Sequence, residues 1–376
     1  MHLSLATNVI NPGAPFDAPR FNRQLHTLAW RLLGRRLRSL RQSGGLGVAL
    51  QALLAQQCDS GFIKDALDQV VTRRVADPAH SWRSFAVQYN PRRALRLKGA
   101  GRSEPPAGTE SRHAGCFLDR ENVQWQQWGA ELGMDLAVND RNYVAWPNPF
   151  PLKPLHLTIA SAGHGPQSWI GANLNVTAER LHTLLDDLLG IVGECPGFIG
   201  FHNGVGAGAS IAGHFHFQLF HRVSADERFA LEIAASGRMS GSSSVLCGQD
   251  YPVAALCFSG PRAQVLAQAL DWGTAWARHN GNRACTTGNF VASASTQDSD
   301  RIALYFVPRL GDAPVGGSAL SRVGGLELLG EWVLTDPAEQ QALLDGQFGF
   351  GQVWNRLLAV KPRGVEAFAA CMAGRL

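Results

Sequence analysis

The sequence lacks several features that would assign it to common classes of protein. A net charge of only +4 over 376 residues gives no general attraction for nucleic acid, so an anion site must be built locally. The seven cysteines are single and odd in number, which predicts reduced thiols and no disulfide framework. The N-terminus has neither a basic start nor an apolar run, and no apolar stretch is long enough to span a bilayer. We therefore expect a cytoplasmic protein that binds neither nucleic acid nor membrane.

The chain does have the composition of a protein with a large core. Hydrophobic residues make up 45% and charged residues 17%, and the length allows two ordinary domains or one large one. The clearest boundary is a stretch rich in Gly, Pro and Ser, which is typical of a flexible linker or loop. We predict four regions: a helical N-terminal segment leading into a strand (1–97), the linker (98–115), a unit with the candidate active site (116–240), and a second unit with a helical C-terminus (241–376).

The spacing of apolar residues predicts a repeated order of strands and helices after the linker. The N-terminal part reads mostly as helix over 17–75, followed by a strand within 84–93. The next elements are helices at 122–132 and 178–192, with strands at 143–150, 155–161, 197–204 and 214–222. A similar series follows, with a helix at 262–279 and strands at 253–259, 289–295, 302–309 and 324–334. This layout predicts an α+β fold of two related units, a duplication that residue identity alone does not prove.

One stretch, GAGASIAGHFHFQLFHR at 206–222, combines small residues with alternating polar ones. Alternate side chains of a strand point to opposite faces, so His214, His216 and Gln218 share a face. That face must line a cleft, because three buried polar groups without partners would cost several kcal/mol. The small residues before it let backbone N–H groups approach a phosphate, and Ser210 adds a hydroxyl.

Three interpretations of this stretch stay open from the residues alone. The histidines could be a structural pair. Gly208, His214 and His216 also match the opening spacing of a cupin metal motif, although Phe220 and His221 stand where that motif needs a glutamate. The third interpretation, which we favour, is a histidine that attacks a phosphoanhydride, with one ring nitrogen held by an acceptor and donors placed at the phosphate oxygens.

The segment HFHFQ resembles the H-x-H-x-Q motif of the histidine-triad superfamily, in its nucleotidyltransferase branch. That branch contains galactose-1-phosphate uridylyltransferase, diadenosine tetraphosphate phosphorylase and GDP-hexose phosphorylase. Residues 202–210 are similar to the branch's Asn–Gly…Gly–Ala–Ser loop, and 156–164 keep the two-histidine spacing of the strand before the motif. Segments 87–93 and 305–310 are similar to the phosphorylase-like members. The resemblance covers roughly residues 84–335 and implies two histidine-triad-like units in a mixed or antiparallel sheet with helices packed on it.

The resemblance also implies roles for individual residues. His216 would be the nucleophile that carries a nucleoside monophosphate. Gln218 and Ser210 would hold the phosphate of that group, and Asn203 would shape the glycine-rich loop. The implied reaction moves the nucleotide from a dinucleoside polyphosphate or a nucleotide sugar to inorganic phosphate or a sugar phosphate. A hydrolase of the same superfamily, an inactive nucleotide-binding module and a cupin-like metal protein are the alternatives.

Further residues complete the predicted substrate site. Gly208 and His214 belong to it by their place in the motif. Arg309 and the pair Arg92 and Arg93 are candidate cations, because guanidinium binds phosphate in a bidentate fashion. The second half of the chain has no histidine pair where a duplicated motif would lie, so we expect one active site in each chain. The sequence does not specify the nucleobase and sugar of the substrate, the acceptor of the nucleotide, or the oligomeric state.

Zinc is the open cofactor question. Some uridylyltransferases of this branch bind zinc through C-x-x-C, a later histidine and the first histidine of the motif. The matching residues here are Cys116, His164 and His214, but Asp119 stands at the second cysteine position. Structural zinc sites rarely include aspartate. We therefore expect zinc to be absent or dispensable, with a site at these four residues as the alternative.

Overall fold

A computed structural model describes nine segments of the chain, which are residues 23–63, 65–80, 83–92, 113–126, 130–239, 241–298, 300–311, 323–334 and 336–374. The chain divides into two compact units, each built from separate stretches. The first unit takes residues from 1–69, 90–165 and 213–221, and the second from 70–89, 166–212 and 222–376. Most of the predicted linker (98–112) and Arg93 lie outside the described residues, so the predicted domain boundaries stay a prediction.

The described residues form nine α-helices and twelve strands. The helices are α1 (Arg23–Asp59), α2 (Arg120–Gln126), α3 (Leu174–Gly193), α4 (Ala230–Ser236), α5 (Arg262–His279), α6 (Gly325–Leu329), α7 (Pro337–Leu344), α8 (Phe350–Ala359) and α9 (Val365–Ala373). The strands are β1 (Val71–Ala76), β2 (Ser84–Tyr89), β3 (Met134–Val138), β4 (Arg141–Pro147), β5 (Leu157–Ser161), β6 (Phe198–Asn203), β7 (His216–His221), β8 (Ser243–Leu246), β9 (Ala255–Pro261), β10 (Thr286–Ala294), β11 (Arg301–Leu310) and β12 (Glu331–Leu334). None of the helices seen in these segments has both the length and the apolar character needed to cross a membrane.

The first unit packs α1, which is interrupted by a kink at Gly45 with φ 85°, against an antiparallel sheet of order β3-β4-β5-β7. Helix α1 contacts β3 and β4. It buries Trp30 against the ring of Trp146 at a centroid distance of 5.4 Å, and the Trp30 indole N–H donates to Asp135 at 2.9 Å. The apolar side chains of α1 recur every three or four residues, so one face of the helix is buried. This packing supports the sheet that carries β7.

The second unit contains two sheets. Its antiparallel sheet has the order β6-β10-β11-β9-β8, and α3 and α5 pack on it and on each other. Phe290 and Phe306, neighbours on β10 and β11, are fully buried and stack at a centroid distance of 4.6 Å. A smaller sheet has the order β1-β2-β12, with β12 parallel to β2. The α+β class predicted from the sequence is confirmed.

Three predicted elements need correction. The strand predicted over 324–334 is helix α6 followed by β12, because the Gly324 N–H donates to the Glu327 side chain at 3.0 Å and Gly330, at φ 101°, ends the helix. The helix predicted over 122–132 ends at Gln126 in the described residues, and the unpredicted strand β3 follows. The helix predicted over 17–75 ends at Asp59, and β1 forms before Asp77.

Candidate active site

Strand β7 begins at His216 and pairs with β5 in a register that sets Ala160 opposite His216 and Thr158 opposite Gln218. Phe217, between the two polar residues, is 1% exposed and contacts the ring of Tyr143. The predicted alternation is therefore present, with Phe217 in the core and the polar residues on the other face. The strand is three residues shorter than the predicted 214–222, and His214 lies just before it.

The hydrogen bonds of His216 define which of its nitrogens is protonated. The side chain is 3% exposed, and Nδ1 lies 2.8 Å from the carbonyl oxygen of His214. A carbonyl only accepts, so Nδ1 carries the proton and Nε2 carries the lone pair. Burial lowers the pKa of His216 to about 4, which keeps the ring neutral near pH 7. A neutral imidazole with a lone pair on Nε2 is the form that can attack phosphorus.

Gln218 is held by His156, which is not among the site residues predicted from the sequence. Its Oε1 lies 2.9 Å from Nε2 of His156, and Nδ1 of His156 lies 3.1 Å from the backbone nitrogen of Leu152. His156 is 1% exposed. The spacing of the histidines in 156–164 signalled its presence, but the contact with Gln218 depends on the pairing of β5 with β7.

The four zinc candidates of the sequence lie together. The ligand atoms of Cys116, Asp119, His164 and His214 are all within 4.8 Å of one another. Sγ of Cys116 is 3.4 Å from Nδ1 of His214, and that nitrogen is 3.8 Å from an oxygen of Asp119. A tetrahedral zinc ion with bonds of about 2.0–2.3 Å separates its ligand atoms by roughly 3.3–3.8 Å. The Cys116–His214 and Asp119–His214 distances therefore suit such an ion.

The protonation of the cluster also suits a metal. Nε2 of His214 lies 2.8 Å from the carbonyl oxygen of Ser161, so Nε2 carries the proton and the lone pair of Nδ1 faces Cys116 and Asp119. Burial, the largest influence, lowers the pKa of His214. Burial raises the pKa of the Cys116 thiol, and a bound metal reverses that effect by taking up the thiolate. One sulfur, one carboxylate and two imidazoles form a zinc-type donor set.

A fifth residue, His113, lies next to this cluster. Its Nδ1 is 2.7 Å from Asp119, and its ring stacks on that of His164 at a centroid distance of 3.9 Å. Such a contact orients a ligating carboxylate from outside the ligand set. His113 is not predicted as a site residue from the sequence, because it falls inside the predicted linker, where no contact could be assigned.

In the second unit, a buried network supports the glycine-rich loop that follows β6. Oδ1 of Asn203 accepts from the Asn289 amide at 2.9 Å and from the Gly325 N–H at 2.9 Å. The Asn289 amide also donates to the carbonyl of Ala207 at 2.7 Å. Gly208 has φ 94°, and a Cβ there would lie 2.7 Å from Cα of Gly324, so glycine is required. The predicted role of Asn203 as the residue that shapes the loop stays a prediction, and these bonds support it.

The predicted cations have protein partners. Arg309 is 2% exposed and donates to Asn289 at 3.3 Å and to the Val323 carbonyl at 3.2 Å. Burial lowers the pKa of Arg309 to about 10. In the first unit, Arg92 lies 3.3 Å from Asp68. Ser210 is exposed. The predicted phosphate contacts of Arg92, Arg309 and Ser210 stay predictions.

Comparisons with known proteins bear on the fold. A family model described as "Domain of unknown function (DUF4922)" matches residues 53–221, under half of the chain, and no curated protein matches. The chain is similar to solved structures of yeast Ap4A phosphorylase Apa2, at 16% identity and over 82% of this chain. The TM-score is 0.51 for that enzyme alone, with 94% of its chain covered. It is 0.50 for the complex with AMP, with 96% covered, and 0.50 for the complex with Ap4A, with 97% covered.

This likeness confirms the histidine-triad-like fold that the sequence predicts. At 16% identity this likeness shows the fold alone, so a function must be argued from the residues of the site.

Proposed function

We propose that the protein is a phosphorylase-type nucleotidyltransferase that works through a covalent bond between His216 and a nucleoside monophosphate. The observation that carries the proposal is the hydrogen bond from His216 Nδ1 to the carbonyl of His214, which directs the lone pair to Nε2. The likeness to an enzyme solved with AMP and with Ap4A supports a dinucleoside polyphosphate as donor. A nucleotide sugar is the second donor class, because its phosphoanhydride offers the same reacting phosphorus.

The reaction has two displacement steps. In the first, Nε2 of His216 attacks the phosphorus next to a nucleoside, an N–P bond forms, and the P–O bond to the remaining polyphosphate or sugar phosphate breaks. In the second, an oxygen of inorganic phosphate attacks the same phosphorus, the N–P bond breaks, and a nucleoside diphosphate leaves. Gln218 donates an amide N–H to a non-bridging oxygen, where negative charge is held in both steps.

We further propose that Cys116, Asp119, His164 and His214 hold a zinc ion, the alternative to which the sequence alone gave less weight. Zinc would supply a structural cross-link with all four positions taken by the protein. His214 would then act twice, with its ring as a ligand and its carbonyl as the acceptor that orients His216. His113 would hold the carboxylate of Asp119 in place through their hydrogen bond.

The deciding experiment is to trap the intermediate. Purified protein is incubated with Ap4A, and separately with a panel of nucleotide sugars, then digested and analysed by mass spectrometry. We expect a nucleoside monophosphate on the peptide that contains His216, and we expect inorganic phosphate to discharge it as the diphosphate. Discharge by water alone would show a hydrolase. The absence of any adduct with every donor would overturn the covalent mechanism and favour a binding module.

A further inference from the structure

We infer that His156 is a positioning residue that fixes the amide of Gln218, so that its NH2 group faces the phosphate carried by His216. The inference rests on the proposed function for the identity of that phosphate. It adds His156 to the residues that support the reaction, and it assigns the direction of the hydrogen bond between His156 and Gln218.

The direction follows from the two contacts of the His156 ring. The backbone N–H of Leu152 can only donate, so Nδ1 of His156, at 3.1 Å, must accept and carries no proton. In the neutral ring the proton is then on Nε2, which lies 2.9 Å from Oε1 of Gln218 and donates to it. A doubly protonated His156 would set an Nδ1–H against the N–H of Leu152. Two contacts with the protein therefore determine both the tautomer of His156 and the orientation of the amide.

The orientation matters because an amide has two ends of nearly equal shape and opposite hydrogen-bonding character. With Oε1 held by His156, the NH2 group is the end that remains to meet a ligand. In the reverse orientation a carbonyl lone pair would face an anionic phosphate and repel it. His216 and Gln218 are two residues apart on one face of β7, about 6.6 Å along the strand, a span that a glutamine side chain and a phosphoryl group cover together.

The strand register explains why His156 lies next to Gln218. Thr158 is directly opposite Gln218 in the pairing of β5 with β7, and His156 precedes Thr158 by two residues. Residues two apart on an extended chain share a face, and diagonal neighbours across an antiparallel pair are in reach of long side chains. His156 is also 1% exposed, so water does not compete for its nitrogens.

The test compares two variants of similar size. In His156→Gln, the amide nitrogen takes a position close to Nε2 and can still donate to Gln218. In His156→Asn, the shorter amide replaces only the Nδ1 end. We expect His156→Asn to slow adduct formation from Ap4A by about 10- to 100-fold, mainly in kcat, as for the loss of a group that orients a reacting residue. We expect His156→Gln to keep most of the rate. Equal losses in the two variants would contradict the inference.

His26 offers a matched control. It is buried on α1 in the same unit, and its Nε2 lies 3.1 Å from the carbonyl of Glu131. We expect His26→Asn to leave the rate of adduct formation unchanged. Thermal unfolding of each variant separates a loss of fold from a loss of orientation.

A double-mutant cycle tests whether His156 acts through Gln218. We expect His156→Asn to have no further effect on adduct formation in a Gln218→Ala background, whereas an equal loss in both backgrounds would show an effect that bypasses Gln218.

Nitrogen-15 NMR of the wild-type protein reads the tautomer directly, and a protonated Nδ1 on His156 would overturn the inference. If the wild-type protein forms no adduct, the proposed function fails. In that case, the orientation of the Gln218 amide is still tested by two measurements, the tautomer of His156 and the affinities of the two variants for AMP.

Discussion

The motif strand of the first unit and the buried network of the second place polar side chains in the protein interior in two different ways. In the network, Asn203, Asn289 and Arg309 bond to one another and to backbone groups. His216 in the motif strand and His214 just before it each donate to a carbonyl through one nitrogen, so the second nitrogen of each ring is the unprotonated one. In both arrangements, hydrogen bonds offset the free-energy cost of burying polar groups.

This difference separates residues that stabilise the fold from residues that can take part in a reaction or bind a metal. A side chain whose donors and acceptors are matched to the protein stabilises a loop. A neutral imidazole that donates to a carbonyl through one nitrogen has an unprotonated second nitrogen, which can act as a nucleophile or a ligand. By this criterion Arg309, which the sequence suggested as a phosphate-binding cation, has contacts typical of a supporting residue. The following predictions test this division, from the largest expected effect to the smallest.

The largest effect is expected for His216→Ala. The substitution removes the nucleophile, so adduct formation should stop and turnover should fall by several powers of ten. Because the buried His214 carbonyl loses its donor, we expect the free energy of unfolding to fall by about 1–3 kcal/mol while the fold is kept. Mass spectrometry and urea unfolding measure the two quantities. A variant that keeps wild-type activity would exclude His216 as the nucleophile.

The second effect concerns metal. We expect about one zinc ion per chain by elemental analysis, and we expect Cys116→Ser to lose most of it. Since metal binding adds to folding free energy, this variant should be less stable by about 3 kcal/mol or more at saturating zinc.

Cys58→Ser is the control for this experiment, because Cys58 is exposed and lies outside the cluster. Zinc-free protein that is fully active and unaffected by chelation would support the original expectation drawn from Asp119.

The third effect should fall on stability. Asn289→Ala removes one of the hydrogen-bond partners of Arg309 and the donor to the Ala207 carbonyl, and an unsatisfied buried group costs about 1–3 kcal/mol. Urea unfolding measures the loss. We expect the variant to form the His216 adduct at saturating Ap4A. If stability were unchanged and adduct formation abolished, Asn289 would belong to the chemical region and the division would be wrong.

The smallest effect is expected for Gln218→His. An amide does not titrate, whereas a histidine in its place could help to activate water. We therefore expect more hydrolysis relative to phosphorolysis, with stability altered by about 1 kcal/mol or less. The measurement is the ratio of nucleoside monophosphate to diphosphate at fixed phosphate. An unchanged ratio in a variant that still forms the adduct would show that Gln218 does not select the acceptor.

The sequence was most informative where one local rule decides the structure. The two-residue period of a strand places His216 and Gln218 on one face of β7 and Phe217 on the other. Helix α5 was predicted at its observed bounds, since its apolar spacing is regular and Pro261 precedes it. The signals for α6 were also local, a glutamate three residues after Gly324 and a glycine at position 330, but the apolar run between them read as a strand.

Contacts between distant parts of the chain were harder to predict. The bond between His156 and Gln218 joins residues 62 apart and depends on the register of two strands. Cys116 and His214 are 98 residues apart, so the sequence could name them as candidates but could not show that they meet. Nor could it show the bond from His113 to Asp119, because local patterns do not fix the path of the loop between them.

The division of the chain has a consequence for any attempt to study the protein in pieces. The chain passes between its two units five times, at 69/70, 89/90, 165/166, 212/213 and 221/222. A fragment cut to the family match, residues 53–221, would contain β2 without its parallel partner β12 and β6 without β10. Both strands would then expose unpaired edges, which are templates for aggregation. An insoluble fragment would therefore report on where the cut was made, and not on whether the site can work.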